Sequence, residues 1–296
     1  MSPGSAASPW VRSMPIVFVL IWSTGFIVAR YGMPHSPPFK FLALRYALSI
    51  LCFLPWIWLS GVRWPAGGRQ WLHLAVTGIL MHAFYLGGVW AAVKAGMGSG
   101  VSALIVGLQP VLTAVWLSST GGQVSRRQWL GLVLGFAGLM MVVSRKLGAG
   151  SPTDHVDVLN LSLIVAALMS ITIGTLYQKR HVAACDVRSA NVVQLGAALV
   201  VTLPMALLER ESMVWGGELV GAMAWSVLAL TLGGSSLLYL LIQRGAATAV
   251  TSLLYMVPPC TAIMAWVLFD EPITALTVLG TALTAFGVSL VVRRAQ

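Results

Sequence analysis

The sequence predicts an all-α integral membrane protein with ten transmembrane helices arranged as two inverted five-helix repeats. Three observations carry that expectation. Of the 296 residues 58% are hydrophobic and only 9% charged, against roughly one quarter charged in a soluble domain, so lipid must be the main solvent. The apolar residues gather into ten long runs, each near the roughly 20 residues that a helix needs to cross a bilayer. The second half also repeats the first without a gap, at a constant offset of 149 residues that sets Gly25 on Gly174 and Pro110 on Pro259.

The first half supplies runs at roughly 14–31, 38–59, 71–93, 99–118 and 127–144. The second supplies roughly 158–178, 189–208, 220–242, 248–268 and 274–292. The first run is not a cleavable leader, because Trp22, Arg30 and the copy at 161–180 make it part of the folded unit. Residues 1–147 therefore form one repeat with a short N-terminal tail, 148–160 a linker and the start of the sixth run, and 161–296 the other repeat.

The matches under the offset are mostly glycine and proline: Pro55 on Pro204, Gly67 and Gly68 on Gly216 and Gly217, Gly131 on Gly280, Gly138 on Gly287. Such residues fix bends and close helix contacts, so what the halves share is a fold. Five crossings is an odd number, which turns the copy upside down. Inverted repeats of this kind build secondary transporters, whose site lies where the repeats meet near the bilayer midplane.

Charge sets the expected orientation. With the N-terminus in the cytoplasm, Arg12, Arg63, Arg69, Arg126, Arg127, Lys179, Arg180, Arg188, Arg244, Arg293 and Arg294 all fall inside, as the positive-inside rule requires. Asp186 is the one acid on that side, while Asp154, Asp157, Glu209, Glu211, Glu218, Asp270 and Glu271 lie outside. Both termini are expected in the cytoplasm, and the protein in the plasma membrane, the inner one in a Gram-negative cell. The net charge of +10 is then the orientation signal plus attraction to anionic lipid heads, and no soluble basic domain exists to hold nucleic acid. The expected partners are a small-molecule substrate and the bilayer, with a monomer favoured. Cys52, Cys185 and Cys260 have neither a disulfide pattern nor metal-ligand spacing, so no metal or cofactor is expected.

Three stretches carry a family resemblance: PFKFLALRYALSILCFLP at 38–55, AVKAGMGSGVSALIVGLQP at 92–110, and FDEPITALTVLGTALTAFGVSLVVR at 269–293. Together they resemble the EamA-type branch of the drug/metabolite transporter superfamily, a group of ten-span exporters. The resemblance implies export of amino acids, other metabolites or drugs, with aromatic amino acids among the candidates. One departure is that Gly122 and Gln123 stand where the second half has Glu271 and Pro272.

Residues away from the ends of the runs sketch a cavity. Trp22 and Ser23 in the first run, His82, Tyr85 and Trp90 in the third, Tyr177 in the sixth, and Ser235, Ser236 and Tyr239 in the eighth are the candidate substrate-binding residues. Rings against apolar walls with a few hydroxyls suit a small amphipathic solute, although serine, threonine and tryptophan also serve helix packing in lipid. Arg45 lies inside the second run, where Gln194 is its copy. A structural role, snorkelling outward or bonding backbone carbonyls, is favoured for it over carboxylate recognition. No Asp or Glu lies within a run, leaving His82 as the one titratable group well inside and removing the usual mark of proton coupling.

Pro110, and Pro258 with Pro259, interrupt the fourth and ninth runs at matching positions and are the candidate hinges. Gly131, Gly135 and Gly138 in the fifth run, and Gly280, Thr284 and Gly287 in the tenth, read as close-packing seams. The expected function is secondary export of small metabolites, most plainly amino acids, by alternating access. A multidrug carrier is the alternative, and behind it a channel or a membrane enzyme, for which the runs hold no nucleophile-base pair or paired acids.

Overall fold

In the lipid-filled part of a membrane every backbone N–H and C=O must be satisfied within the segment, so long apolar runs become helices. The computed structural model describes residues 9–119, 125–146, 154–234, 236–237 and 256–292, and helices dominate it. The first half supplies α1 (Pro9–Gly32), α2 (Pro38–Leu59), α3 (Gly68–Lys94), α4 (Ser99–Val106), α5 (Gln109–Ser119) and α6 (Arg126–Lys146). The second supplies α7 (Val158–His181), α8 (Val187–Leu208), α9 (Gly217–Gly233), α10 (Val257–Phe269) and α11 (Ala275–Val292). Six of these, α1, α2, α3, α6, α7 and α8, are long and apolar enough to cross a membrane, while α9, α10, α11 and the α4–α5 pair are shorter apolar segments. The chain is therefore a multi-pass membrane protein. Ser235 and Tyr239 lie outside the described residues.

Local chemistry explains the starts and stops. Pro38 opens α2 at a position whose missing N–H has no intrahelical partner to lose. Asp157 and Asn160 close a reciprocal capping box at α7, with N–H to carboxylate at 2.8 Å and N–H to amide oxygen at 3.0 Å. Asp186 caps α8 through the Arg188 N–H at 2.9 Å, and the Arg188 side chain holds its carboxyl below the usual carboxylate range. Two further helices are capped from the opposite half. Glu209 accepts the N–H groups of Phe39 and Lys40 at the start of α2, and Glu271 accepts those of Ser99 and Gly100 at the start of α4. A carboxylate at a helix N-terminus satisfies orphan donors and meets the positive end of the dipole.

Packing pairs the halves through their own copies. Helix α2 packs on α8 and α6 on α11, each the counterpart of the other under the offset, and α4 of the first half packs on α10 of the second. At the α6–α11 seam Thr284 Oγ1 donates to the Gly135 carbonyl at 3.2 Å. Gly138 sits against the Gly280 and Thr284 backbone, and Gly287 against Gly131 and Gly135, so any side chain there would enter backbone. Small residues are what let two helices approach this closely in lipid.

Outward, the bundle presents large apolar side chains such as Trp58, Val200, Leu207 and Phe286. On a soluble protein that surface would be an aggregation hazard, whereas lipid is its natural solvent. The bundle has an acidic end, where the loops 33–37 and 209–216 meet, and a basic end, where 60–67 meets 182–186.

Candidate functional site

At matched depths, α3 and α9 each widen into a π-helical turn, Ile79–Phe84 and Ser226–Gly233. The offset carries the first onto the second. A π turn leaves backbone carbonyls without their usual helical partners, and hydroxyls take them up here: Tyr46 Oη donates to the His82 carbonyl at 2.8 Å, Ser170 Oγ to Leu80 at 2.9 Å, and Thr231 Oγ1 to Ser226 at 2.8 Å. Such turns are frequent at functional sites because they re-aim side chains.

Glycines seat both turns. Gly174 of α7 receives Leu80 and Met81 of the α3 turn, and Gly25 of α1 receives Leu230 of the α9 turn. Since Gly25 matches Gly174 and Met81 matches Leu230, these are one contact made twice. Gly78 likewise lets α3 press onto the backbone of Gln194 in α8, one turn before His82.

The two turns wall a central cavity of about 120 Å³. Its ring surfaces come from Trp22, Tyr46, His82, Tyr85 and Trp90, with Trp90 stacked on Phe41 at 4.4 Å and Trp22 against Phe18 at 5.3 Å. Its apolar wall includes Phe26, Leu86, Val89 and Leu230, and its polar groups are Arg45, Asn191 and Thr231. No carboxylate lines it among the described residues. Arg45 is 8% exposed and donates from Nε and Nη2 to Thr231 Oγ1 at 3.3 and 3.2 Å. A bare charge at that depth costs about 3 kcal/mol, and one hydroxyl is a weak offset.

Of the residues singled out from sequence, Trp22, His82, Tyr85 and Trp90 come together on this cavity. The other described candidates, Ser23, Tyr177 and Ser236, go elsewhere. Ser23 Oγ is fully buried on the Val19 carbonyl, and its own carbonyl receives Thr261, tying α1 to α10. Tyr177 meets His73 at 2.8 Å and stacks on His181 at the basic end. Ser236 Oγ donates to Leu232. Arg45 donates to the Thr231 side chain and so ties α2 to α9. Asn191, Tyr46 and Thr231 were missed, although Thr231 is the copy of His82 and could have been found from that register.

The hinge candidates also cluster. The fourth run breaks at Gly107–Leu108, between α4 and α5, and Gly107 lies against the Pro258 ring. Pro258 and Pro259 fall in the first turn of α10, where a missing N–H costs no hydrogen bond.

Contacts between the halves join their loops at both ends of the bundle. At the acidic end His35 Nε2 lies 2.6 Å from Glu218, Lys94 Nζ lies 2.6 Å from Glu211, and the Val214 N–H donates to the His35 carbonyl at 2.8 Å. At the basic end Gln70 makes paired bonds to the Ala183 carbonyl at 2.8 Å and N–H at 3.2 Å, and Ser189 Oγ donates to the Arg63 carbonyl at 3.3 Å. The offset turns 33–40 into 182–189 and 60–69 into 209–218. The two closures are thus the same loop pairing with the halves exchanged.

A helical membrane scaffold of two like halves around a central, partly polar cavity defines a membrane transporter, and the comparisons agree. The EamA-like transporter family matches at residues 10–144 and again at 159–293. The chain belongs to that family. It is 26% identical to the "Uncharacterized inner membrane transporter YedA" of Escherichia coli over 92% of this chain and 87% of that protein. It is 23% identical to a "Probable amino-acid metabolite efflux pump" of the same organism, over 93% and 92% of the two chains. An "Uncharacterized transporter" of Archaeoglobus fulgidus is 25% identical over 92% and 93%. A solved crystal structure with 19% identity shares the fold at a TM-score of 0.65, covering 94% of this chain and 95% of its own.

Proposed function

We propose that the protein is a secondary exporter of small metabolites, amino acids with apolar or aromatic side chains foremost, working by alternating access. Ten spans form two inverted five-helix repeats, 1–147 and 161–296 joined through 148–160, with both termini in the cytoplasm. The basic end then faces inward and the acidic end outward. The observation that carries this reading is the pair of exchanged closures flanking one cavity. A carrier that opens alternately needs two gates of nearly equal free energy, and making the same loop pairing twice with opposite sense supplies them.

Trp22, His82, Tyr85 and Trp90 hold the solute in this reading, with Arg45, Asn191 and Thr231 on its polar side. Rocking occurs about the Gly107 and Pro258 contact, with Pro110 and Pro259 beside it, where breaks in the helices absorb changes in backbone angle. The name of one relative, "Probable amino-acid metabolite efflux pump", favours both the substrate class and the direction. The test is counterflow in liposomes preloaded with unlabelled amino acid and given trace labelled phenylalanine or leucine. Transient accumulation of label, absent from protein-free liposomes, supports the carrier, whereas flux without counterflow makes the protein a channel.

A further inference from the structure

Arg45 is the one formal charge on the cavity wall among the described residues, and it is more than nine-tenths buried. Its protein partner is the Thr231 hydroxyl, which takes both the Nε and Nη2 donors and passes its own proton to the Ser226 carbonyl. A guanidinium carries five N–H donors in a planar fork. One shared hydroxyl leaves Nη1 without a partner among the described residues, on the wall of a space lined by rings and Asn191.

We infer that Arg45 is the anchor for a carboxylate group on the transported solute, and that the cavity takes small monocarboxylates bearing an apolar or aromatic body. This rests on the exporter reading and narrows its substrate class. Three features point the same way. A buried cation without an ionic partner is stabilised most by an anion, and the fork matches a carboxylate with two parallel bonds. Among the described residues the wall offers no carboxylate to receive a ligand ammonium, so the amine of an amino acid is tolerated but not required. The volume of about 120 Å³ approaches the roughly 150 Å³ of an engineered cavity that binds benzene, so one small ring fits against Trp22, Tyr85 and Trp90.

The register shows why one anchor is enough. The copy of Arg45 is Gln194, and the copy of Thr231 is His82. The helix of Gln194 packs on the π turn that carries His82, so the matching pair faces its own partner without a fixed positive charge. The carboxylate end is then held at Arg45 and Thr231, and the matching side is left to neutral hydrogen bonding.

The test is calorimetric titration of the purified full chain in detergent with 3-phenylpropionate, phenylalanine, benzoate and 2-phenylethylamine, beside counterflow of the same compounds in liposomes. The expected order is 3-phenylpropionate at least equal to phenylalanine, with 2-phenylethylamine tenfold or more weaker. Arg45→Gln, which installs the residue found in the copy, should weaken the carboxylates tenfold or more and leave the amine unchanged. If that variant does not fold, Arg45→Lys keeps the charge without the fork and should weaken them to a lesser degree. Amine binding as tight as carboxylate binding, no binding by any of the carboxylates, or carboxylate binding that survives Arg45→Gln would each overturn the assignment. Carboxylate binding that depends on Arg45 without counterflow keeps the anion site and removes the exporter reading. Counterflow of the amine at the rate of the carboxylate does the reverse.

Discussion

Thr284 Oγ1 donates to the carbonyl of Gly135 at 3.2 Å, and these two residues are each other's copy under the 149 offset. A residue that touches its own counterpart lies beside the axis relating two like bodies, as at an isologous interface. The exchanged contacts obey the same rule: Gly174 with Met81 and Gly25 with Leu230, Gly138 with Gly280 and Gly287 with Gly131.

With the five crossings per half proposed above, such an axis would lie in the membrane plane, and that can be checked by topology. Single cysteines placed at Ser60 and Ser212, both exposed in loops at opposite ends, should react from opposite sides of the membrane. With the native cysteines replaced, Ser60→Cys should need access from the cytoplasm and Ser212→Cys should label in intact cells. Labelling of both from one side defeats the inverted arrangement.

The seam predicts which glycines matter. Gly138→Ala puts a methyl into the backbone of Gly280 and Thr284, and overpacking of this kind costs about 1–3 kcal/mol. Gly196→Ala, in helix α8 with open space around it, should be neutral or stabilising by up to about 1 kcal/mol. Thermal unfolding of the two variants in one detergent should move in opposite directions.

The closures differ in chemistry although they share a register. The acidic end depends on His35–Glu218 and Lys94–Glu211, whereas the basic end uses the neutral Gln70–Ala183 bridge and Arg188 over the Trp56 ring at 5.3 Å. Exposed ion pairs contribute about 0.2–1 kcal/mol each and weaken with salt. Glu211→Gln should therefore raise the fraction of molecules open at the acidic end about 1.4- to fivefold, read as faster labelling of a cavity cysteine from that side. High salt should raise labelling of the parent more than that of the variant, which keeps only the His35–Glu218 pair.

Driving force follows from what the cavity lacks. With no carboxylate on its wall among the described residues, a proton relay would have to run through His82, so transport should follow the solute gradient and respond little to an imposed pH difference. Net flux in liposomes with and without that difference, for the parent and for His82→Gln, is the measurement. Proton-driven uphill accumulation that disappears in His82→Gln would make His82 the coupling group instead.

Sequence alone determined the solvent, the repeat and the family resemblance, because these depend on local quantities: hydropathy along ten runs, and glycines and prolines held at one offset. The seam at Gly131, Gly135 and Gly138 was legible for the same reason, since a helical spacing of small residues fixes which face can come close. Trp22, His82, Tyr85 and Trp90 could be picked out because bulky polar rings are conspicuous in an apolar run. Arg45 and Thr231 could not be joined in that way. Whether a buried arginine reaches water, a carbonyl or a cavity depends on how two helices from different halves rotate against each other, and no single run encodes that rotation. The π turns decided it, turning His82 and Thr231 inward at matched depths, and Tyr177 and Ser23 went into packing because their helix faces meet neighbours there. A span shows its length and its small residues to a linear reading, but which side of it meets the cavity is settled only when its partners press against the other sides.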